Sequence, residues 1–290
     1  MSYAALFHSI DSAKCQEFNL VLQATGFDSH LVHSGSRYYL LIDHERAEQA
    51  YQQLRLYLSE NAEEEVLAKP LHPISKGFLG AYLYGLALLI VGAFSSLKLF
   101  GQNWQNQGVA HSEKIFDGEW WRTITALTLH ADAAHLIGNI GFGALFGILV
   151  SQYIGSGAAW FSILIAGALG NALNAYLYQT LHLSIGASTM VFAALGILGV
   201  FALNDRYAYA QRGLRRWAPL IATLALLGFL GTTGERTDVM AHLTGYFSGC
   251  MTALVWMTVL RRMESTVPAQ GVFATLSLVI VVLAWALALT

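Results

Sequence analysis

The sequence predicts an all-α polytopic membrane protein, with six core helices, one extra transmembrane helix, and a small α+β cytoplasmic domain at the N-terminus. Three observations carry this. The chain of 290 residues is 55% hydrophobic and 12% charged, whereas soluble domains carry roughly twice that share of charge. The charge is segregated: residues 1–70 hold ten of the eighteen acidic side chains. The remainder falls into seven apolar runs separated by short polar joints.

Taken in order, residues 1–66 form the soluble domain and 67–76 a linker. Asp11 or Ser12 can cap a helix that ends near Gly26. HLVHS and RYYLLI flank a glycine-containing turn and suggest a hairpin. Ala47, Tyr51, Leu54 and Leu58 then recur at helical spacing after Asp43. The acidic stretch that follows, with Pro70 and Pro73, reads as a tether. A spanning helix needs about 20 apolar residues, and the runs at 77–97, 134–152, 157–179, 188–204, 217–231, 238–260 and 271–290 are the candidates. Residues 77–262 make the core and 263–290 the additional span. No basic-then-apolar leader is seen, so the N-terminus is expected to stay in the cytoplasm.

Lysine and arginine near span ends set orientation. With the N-terminus inside, Arg206, Arg212, Arg215 and Arg216 share one cytoplasmic loop, and Arg261, Arg262, Lys69 and Lys76 fall on the same side. The C-terminus then ends outside. The loop at 98–133 is also outside, its Lys98, Lys114 and Arg122 matched by Glu113, Asp117 and Glu119. Its Trp104, Phe116, Trp120 and Trp121 read as anchors at the outer interface. No basic patch suggests nucleic acid, and Cys15 and Cys250 imply no disulfide framework.

Polar side chains in hydrocarbon are costly and mark functional sites. The informative ones are His130, His135, Asn139, Ser188 and His242. His135 and Asn139 are four apart, on one face of the second span. Ser188 opens the fourth span after the small turn Gly186-Ala187, and His242 lies in the first turns of the sixth. Under the topology above His135, Asn139, Ser188 and His242 lie at similar depth. A serine hydroxyl needs a neighbouring base, most often histidine. Gly196 on the Ser188–Phe192 face, with Gly245 and Gly249 after His242, lets the two helices approach closely. The Ser188 amide at a helix N-terminus, the Asn139 amide and a His135 ring N–H supply oxyanion donors. Such a donor is worth about 3 kcal/mol of barrier.

GASTMVFAALG, HADAAHLIGN and DVMAHLTGYFSG, with WWR before the second span, resemble the rhomboid family of intramembrane serine proteases. The resemblance covers about residues 77–262. It implies a Ser188–His242 dyad, oxyanion contacts from His135, Asn139 and the Ser188 amide, and a structural or water-holding role for His130. It further implies cleavage of transmembrane protein substrates near the outer leaflet, residence in the bacterial inner membrane, and no metal or cofactor. The N-terminal module is similar to the cytoplasmic domain of some bacterial rhomboids. Two positions depart from the usual pattern. Thr189 stands where many members have glycine, adding a side chain near the oxyanion pocket. Phe192 stands where many have a tyrosine that stacks on the histidine, and it keeps the ring face.

Each residue alone has a plainer role. Ser188 reads as a helix cap, His242 as an interhelical hydrogen bond, and His135 with Asn139 as polar packing. Their coincidence in depth and order, beside the glycine stripes, favours the catalytic set. His130 reads as structural. Asp238 reads as an acid at a helix N-terminus, and His182 and Asp132 as loop residues. Gly141, Gly143 and Gly147 read as ordinary packing. Besides the protease, a catalytically silent rhomboid-like protein that binds membrane clients and a haem or proton carrier using His135 and His242 remain as classes. A zinc protease is disfavoured because H-E-x-x-H is absent.

Overall fold

Backbone that crosses hydrocarbon must satisfy its own hydrogen bonds, which leaves helices or a closed barrel. This chain uses helices. The structure, a computed structural model, describes residues 3–9, 12–34, 37–60, 77–178, 181–204, 217–232, 237–262 and 269–290. The expected tether, Asp11, Lys69, Lys76 and the loop with Arg206, Arg212, Arg215 and Arg216 lie outside these residues. Two compact units are formed, Met1–Lys69 and Pro70–Thr290.

In the first unit β1 (Tyr3–Ser9), β2 (Ser29–Ser34) and β3 (Arg37–Asp43) make an antiparallel sheet in the order β1-β3-β2. Two helices, α1 (Ser12–Ala24) and α2 (Ala47–Glu60), close one core with it, built from Phe18, Leu22, Leu40, Ile42, Ala50 and Leu54. Gly26, at φ +82°, ends α1, and the Phe27 amide donates back to the Leu22 carbonyl at 2.9 Å. The hairpin and both helices follow the sequence pattern. Strand β1 was not foreseen, because a register shift between Ala5 and Phe7 breaks the alternation that marks a strand.

In the second unit all seven apolar runs are helices whose ends lie within two residues of expectation: α3 (Phe78–Ser96), α7 (Ala133–Ile154), α8 (Ser156–Tyr178), α9 (Ser188–Asn204), α10 (Ala218–Gly231), α11 (Val239–Arg262) and α12 (Gln270–Leu289). Among the described residues five are long and apolar enough to cross a membrane, while α9 and α10 are shorter. At 1.5 Å per residue α9 is roughly 26 Å long, less than the ~30 Å hydrocarbon core. It nevertheless tolerates this, because α7, α8, α10 and α11 surround it and bury Thr189 through Ile197 without a break. Apolar on every side, it is the central post of the bundle.

The closest packing joins α9 to α11. A methyl group at Gly245 would collide with the Thr189 carbonyl, at Gly249 with the Ala193 carbonyl, and at Gly196 with the Tyr246 carbonyl. The two backbones touch at three successive levels. Gly143 and Gly147 have a similar duty on α7: they make room for the stacked rings of Tyr84 and Trp160, 4.8 Å apart. They are close-approach positions, more constrained than ordinary packing.

The loop before α7 is folded rather than laid along an interface. It contains α4 (Trp104–Gly108), β4 (Ala110–His111), α5 (Ser112–Phe116), α6 (Arg122–Thr125) and a 3-10 turn at Ala126–Thr128. Arg122 is 2% exposed. Its guanidinium donates to the Asn106 and Val109 carbonyls at 3.0 Å each and pairs with Glu119, which ties the loop around one cation. Of the aromatic side chains expected at an interface, Phe116 and Trp120 are exposed. Trp104, by contrast, is 4% exposed and packs between Phe94 and Trp285. The expectation fails there because Trp285 lies far along the chain and its partner is invisible locally.

That contact gives α12 a role. Trp285 Nε1 donates to Thr128 Oγ1 at 3.0 Å, and its ring lies against Gly108. At the other end of α12, Gln270 donates to the Ile154 carbonyl at 2.9 Å and accepts from the Ala158 amide at 3.0 Å, pinning the α7–α8 turn. Trp285→Ala is expected to cost about 3–5 kcal/mol, lowering the melting temperature in detergent and speeding proteolysis within residues 97–132. Trp285→Phe, which loses the hydrogen bond and keeps most of the ring contact, is expected to cost about 1 kcal/mol.

Candidate active site

Ser188 is placed by a glycine turn. Gly186 has φ +126°, a conformation that favours glycine, and its amide donates to the Ala126 carbonyl at 2.9 Å. A methyl at Gly186 would lie 2.8 Å from His135 Nε2, so the His135 ring covers this turn. Strand β5 (Leu183–Ser184) just upstream pairs with β4. The helix then begins at Ser188, and its first amides have no intrahelical acceptor. The serine side chain is half-buried at the head of the central post.

His242 is held on two sides. Its Nδ1 lies 2.8 Å from the Gly231 carbonyl, the last residue of α10. A carbonyl accepts and never donates, so Nδ1 carries the proton and Nε2 is left as the basic nitrogen. The Phe192 ring lies 4.4 Å from the imidazole centroid, tilted by 38°. Ser188 and Phe192 are successive turns of α9, and the Thr189 carbonyl meets Gly245 of α11. The serine and histidine helices are therefore apposed at this level. Among the described residues the hydrogen bond of the His242 ring is the one to Gly231, and a bond between nucleophile and base often tightens only in the substrate complex.

Asn139 is 7% exposed and its Nδ2 has no partner in the structure. A buried donor left open costs roughly 1–3 kcal/mol, and this one has a hydrogen still to give. The carbonyl of the same residue accepts from the Tyr84 hydroxyl at 2.8 Å. Two turns earlier, Asp132 caps α7 by accepting from the His135 amide at 2.8 Å. His130 Nε2 lies 3.4 Å from the Ala187 amide, which donates to it. Its ring meets that of His135 edge-on at 5.1 Å. Burial, and then the neighbouring His135, push the His130 imidazole down to about 4, so it is neutral at pH 7. His130 thus braces the serine turn as an acceptor.

The structure corrects the reading of Thr189. Its methyl group lies in the seam between Gly170 of α8 and Gly245 of α11, and the residue is 2% exposed. It is a packing residue between helices, and the two glycines opposite it supply the room that its extra atoms need. Two features escaped the sequence reading altogether. The Gly231 carbonyl carries no side-chain signal. His182 is a loop residue, as its place in the sequence indicates, and its Nε2 lies 2.8 Å from Asp238 Oδ2, a contact that no local spacing signals. Asp238 also caps α11 through the Ala241 amide at 3.0 Å, as its position suggested. Burial alone raises the Asp238 carboxyl, but the bonds from His182, Ala241 and Ser184 outweigh it and hold the group below its ordinary value.

The His130 environment gives a pH prediction. A folded-state value near 4 lies below the ordinary histidine value of about 6.5. The unfolded chain therefore binds the proton first, and stability falls as pH drops from about 6.5 toward 4. His130→Gln is expected to flatten this part of the stability profile relative to wild type, measured as melting temperature against pH.

The Rhomboid domain family matches residues 117–261, half of the chain. The rhomboid YdcA of Bacillus subtilis (strain 168) is 28% identical over 149 residues, 50% of this chain and 72% of that protein. Rhomboid-like protease 3 of Toxoplasma gondii is 29% identical over 145 residues, covering 49% of this chain and 54% of the relative. Rhomboid protease GluP of Bacillus subtilis is 31% identical over 148 residues, 50% of this chain and 28% of the relative. The chain thus spans about half or less of the length of the latter two. The matched stretch takes in the serine turn, the His130–Asn139 segment and His242 together, and this chain, an integral membrane protein, belongs to the rhomboid family.

Proposed function

We propose that the chain is an intramembrane serine endopeptidase that cleaves transmembrane segments near the outer leaflet. The observation that carries the reading is the state of His242. One ring nitrogen is committed to the Gly231 carbonyl at 2.8 Å and one ring face to Phe192. That leaves Nε2 as a bare base beside the helix that Ser188 opens. The names of the relatives, two of them proteases by name, point the same way.

In this reading Ser188 Oγ attacks the scissile carbonyl while His242 Nε2 takes the hydroxyl proton. The negative charge that develops on the carbonyl oxygen is met by the Ser188 amide, the open Asn139 Nδ2 and a His135 ring N–H. Collapse of the tetrahedral intermediate breaks the C–N bond, and His242 gives its proton to the leaving amine. Water, deprotonated by the same nitrogen, then hydrolyses the acyl-serine. Substrates are proposed to be helices that fray at the outer leaflet, since an intact helix keeps its carbonyls in its own hydrogen bonds. The N-terminus lies in the cytoplasm and the C-terminus outside. Thr189 gives no ground for a silent client-binding protein, because its side chain packs in the α8–α11 seam.

The test is purification in detergent with a labile transmembrane reporter and a fluorophosphonate probe. Wild type is expected to cleave and to be labelled, while Ser188→Ala does neither and His242→Ala loses cleavage. Asn139→Ala is expected to lower kcat about 100-fold with little change in KM. A wild type that neither labels nor cleaves, yet co-purifies a transmembrane client, would establish the silent binder instead. Thr189→Gly is expected to lower the melting temperature, since it removes buried atoms from the seam, and to give no gain in kcat.

A further inference from the structure

Asp238, one helical turn before His242, gathers more interactions than a helix cap requires. Its Oδ1 accepts from the Ala241 amide at 3.0 Å, which is the cap. Its Oδ2 accepts from His182 Nε2 at 2.8 Å and from Asn174 Nδ2 at 3.1 Å. The His182 ring lies flat on Tyr178, with centroids 3.8 Å apart and planes within 7°. Its backbone is bound on both sides to Ser112: the His182 amide donates to Ser112 Oγ at 2.9 Å, and the Ser112 amide donates to the His182 carbonyl at 3.1 Å. Orientation, backbone position and ring plane of His182 are therefore all fixed from outside.

This geometry lies across the gap that the proposed chemistry must keep constant. Below the site, the glycine seam clasps α9 to α11. At its upper end Ser188 is fed by residues 181–187, and His242 by the first turn of α11. Among the described residues, Asp238 links the two segments through side chains of both His182 and Ser184, the His182 bond being the anchor, at 2.8 Å, that the ring contacts orient. Both side chains are mostly shielded, 23% and 17% exposed, where a hydrogen bond to a carboxylate holds its geometry better than one in open solvent.

We infer that the His182–Asp238 pair is a positioning clamp that fixes the serine-bearing turn against the histidine-bearing helix. The inference rests on the serine protease reading above. Neither residue touches the reacting atoms; each acts through the backbone that carries Ser188 or His242. A small misplacement of a nucleophile costs up to about a hundredfold in rate, and the clamp prevents one.

Asp238→Ser separates the two duties of the acid. Serine still accepts from the Ala241 amide as a cap but is too short to hold His182 and Asn174. His182→Gln keeps an N–H donor for the carboxylate, and His182→Ala removes it. With the full-length protein in detergent, kcat and KM for a transmembrane reporter, fluorophosphonate labelling and melting temperature are measured for each variant and for the double variant. The clamp predicts that Asp238→Ser and His182→Ala each lower kcat by about ten- to a hundredfold, with KM within about twofold of wild type. It also predicts that the double variant is no worse than either single one, and that His182→Gln recovers most of the loss. Wild-type kcat in a folded Asp238→Ser or His182→Ala, additive losses, or a loss confined to KM or melting temperature would overturn it. A wild type that is neither labelled nor active would overturn the protease reading and the clamp together. Labelled, active wild type with unaffected variants would overturn the clamp alone.

Discussion

The structure depends on the backbone contact between α9 and α11. Lipid tails give apolar side chains no reason to prefer a neighbouring helix, so association in a membrane rests on close packing and on hydrogen bonds between helices. Here Gly245, Gly249 and Gly196 bring carbonyls of the partner helix against bare Cα atoms. This approach cannot be reproduced by larger residues, and it has two consequences. It sets the turn of Ser188 and Phe192 beside the turn of His242. It also makes α9 a post that α7, α8 and α10 can surround, so a helix too short to span is still covered from Thr189 through Ile197. Thr189 belongs to the same contact, its methyl filling the space left by Gly170 and Gly245.

What could be read from the sequence was what is written locally. The seven helices announce themselves by length and apolarity, and their ends fell within two residues because polar joints flank each run. Ser188, His242, His135 and Asn139 could be singled out as candidates because polar groups in hydrocarbon are few, so a shared depth is informative. The rest depends on partners distant in sequence. Trp104 looks like an interface residue until Trp285 is seen against it. Arg122 looks like a loop cation matched by acids, yet two of its bonds go to the carbonyls of Asn106 and Val109. His182 and Asp238 are separated by 56 positions and join without any spacing that a motif could record. Strand β1 was hidden for a different reason, an irregularity in its own pairing.

The folded loop and the last helix form one device. Trp285 reaches from α12 to Thr128, two residues before His130, and Gln105 Nε2 donates to the His130 carbonyl at 3.0 Å. His130 in turn accepts from the Ala187 amide, next to Ser188. A continuous line of contacts therefore runs from the additional helix to the serine turn. Each link is a hydrogen bond or a packed ring, and each is made by a residue that carries no charge at pH 7. That suits a site at the margin of hydrocarbon, where a charged brace would need its own counter-ion.

The same economy of charge bears on the proposed role of His242 as base. An imidazole must present one protonated and one bare nitrogen, and the hydrogen bond made by the first decides which is which. In soluble serine proteases a carboxylate performs this selection. Helix geometry offers another acceptor at no cost in charge, since the last carbonyls of any helix have no partner within it. Helix α10 ends at Gly231, and the carbonyl there takes the Nδ1 proton of His242. The carboxylate one turn earlier is then free for a different task at the helix end, where His182 and Asn174 compensate it. Tautomer selection falls to a backbone carbonyl here, which leaves the aspartate for the proposed positioning of the serine-bearing loop.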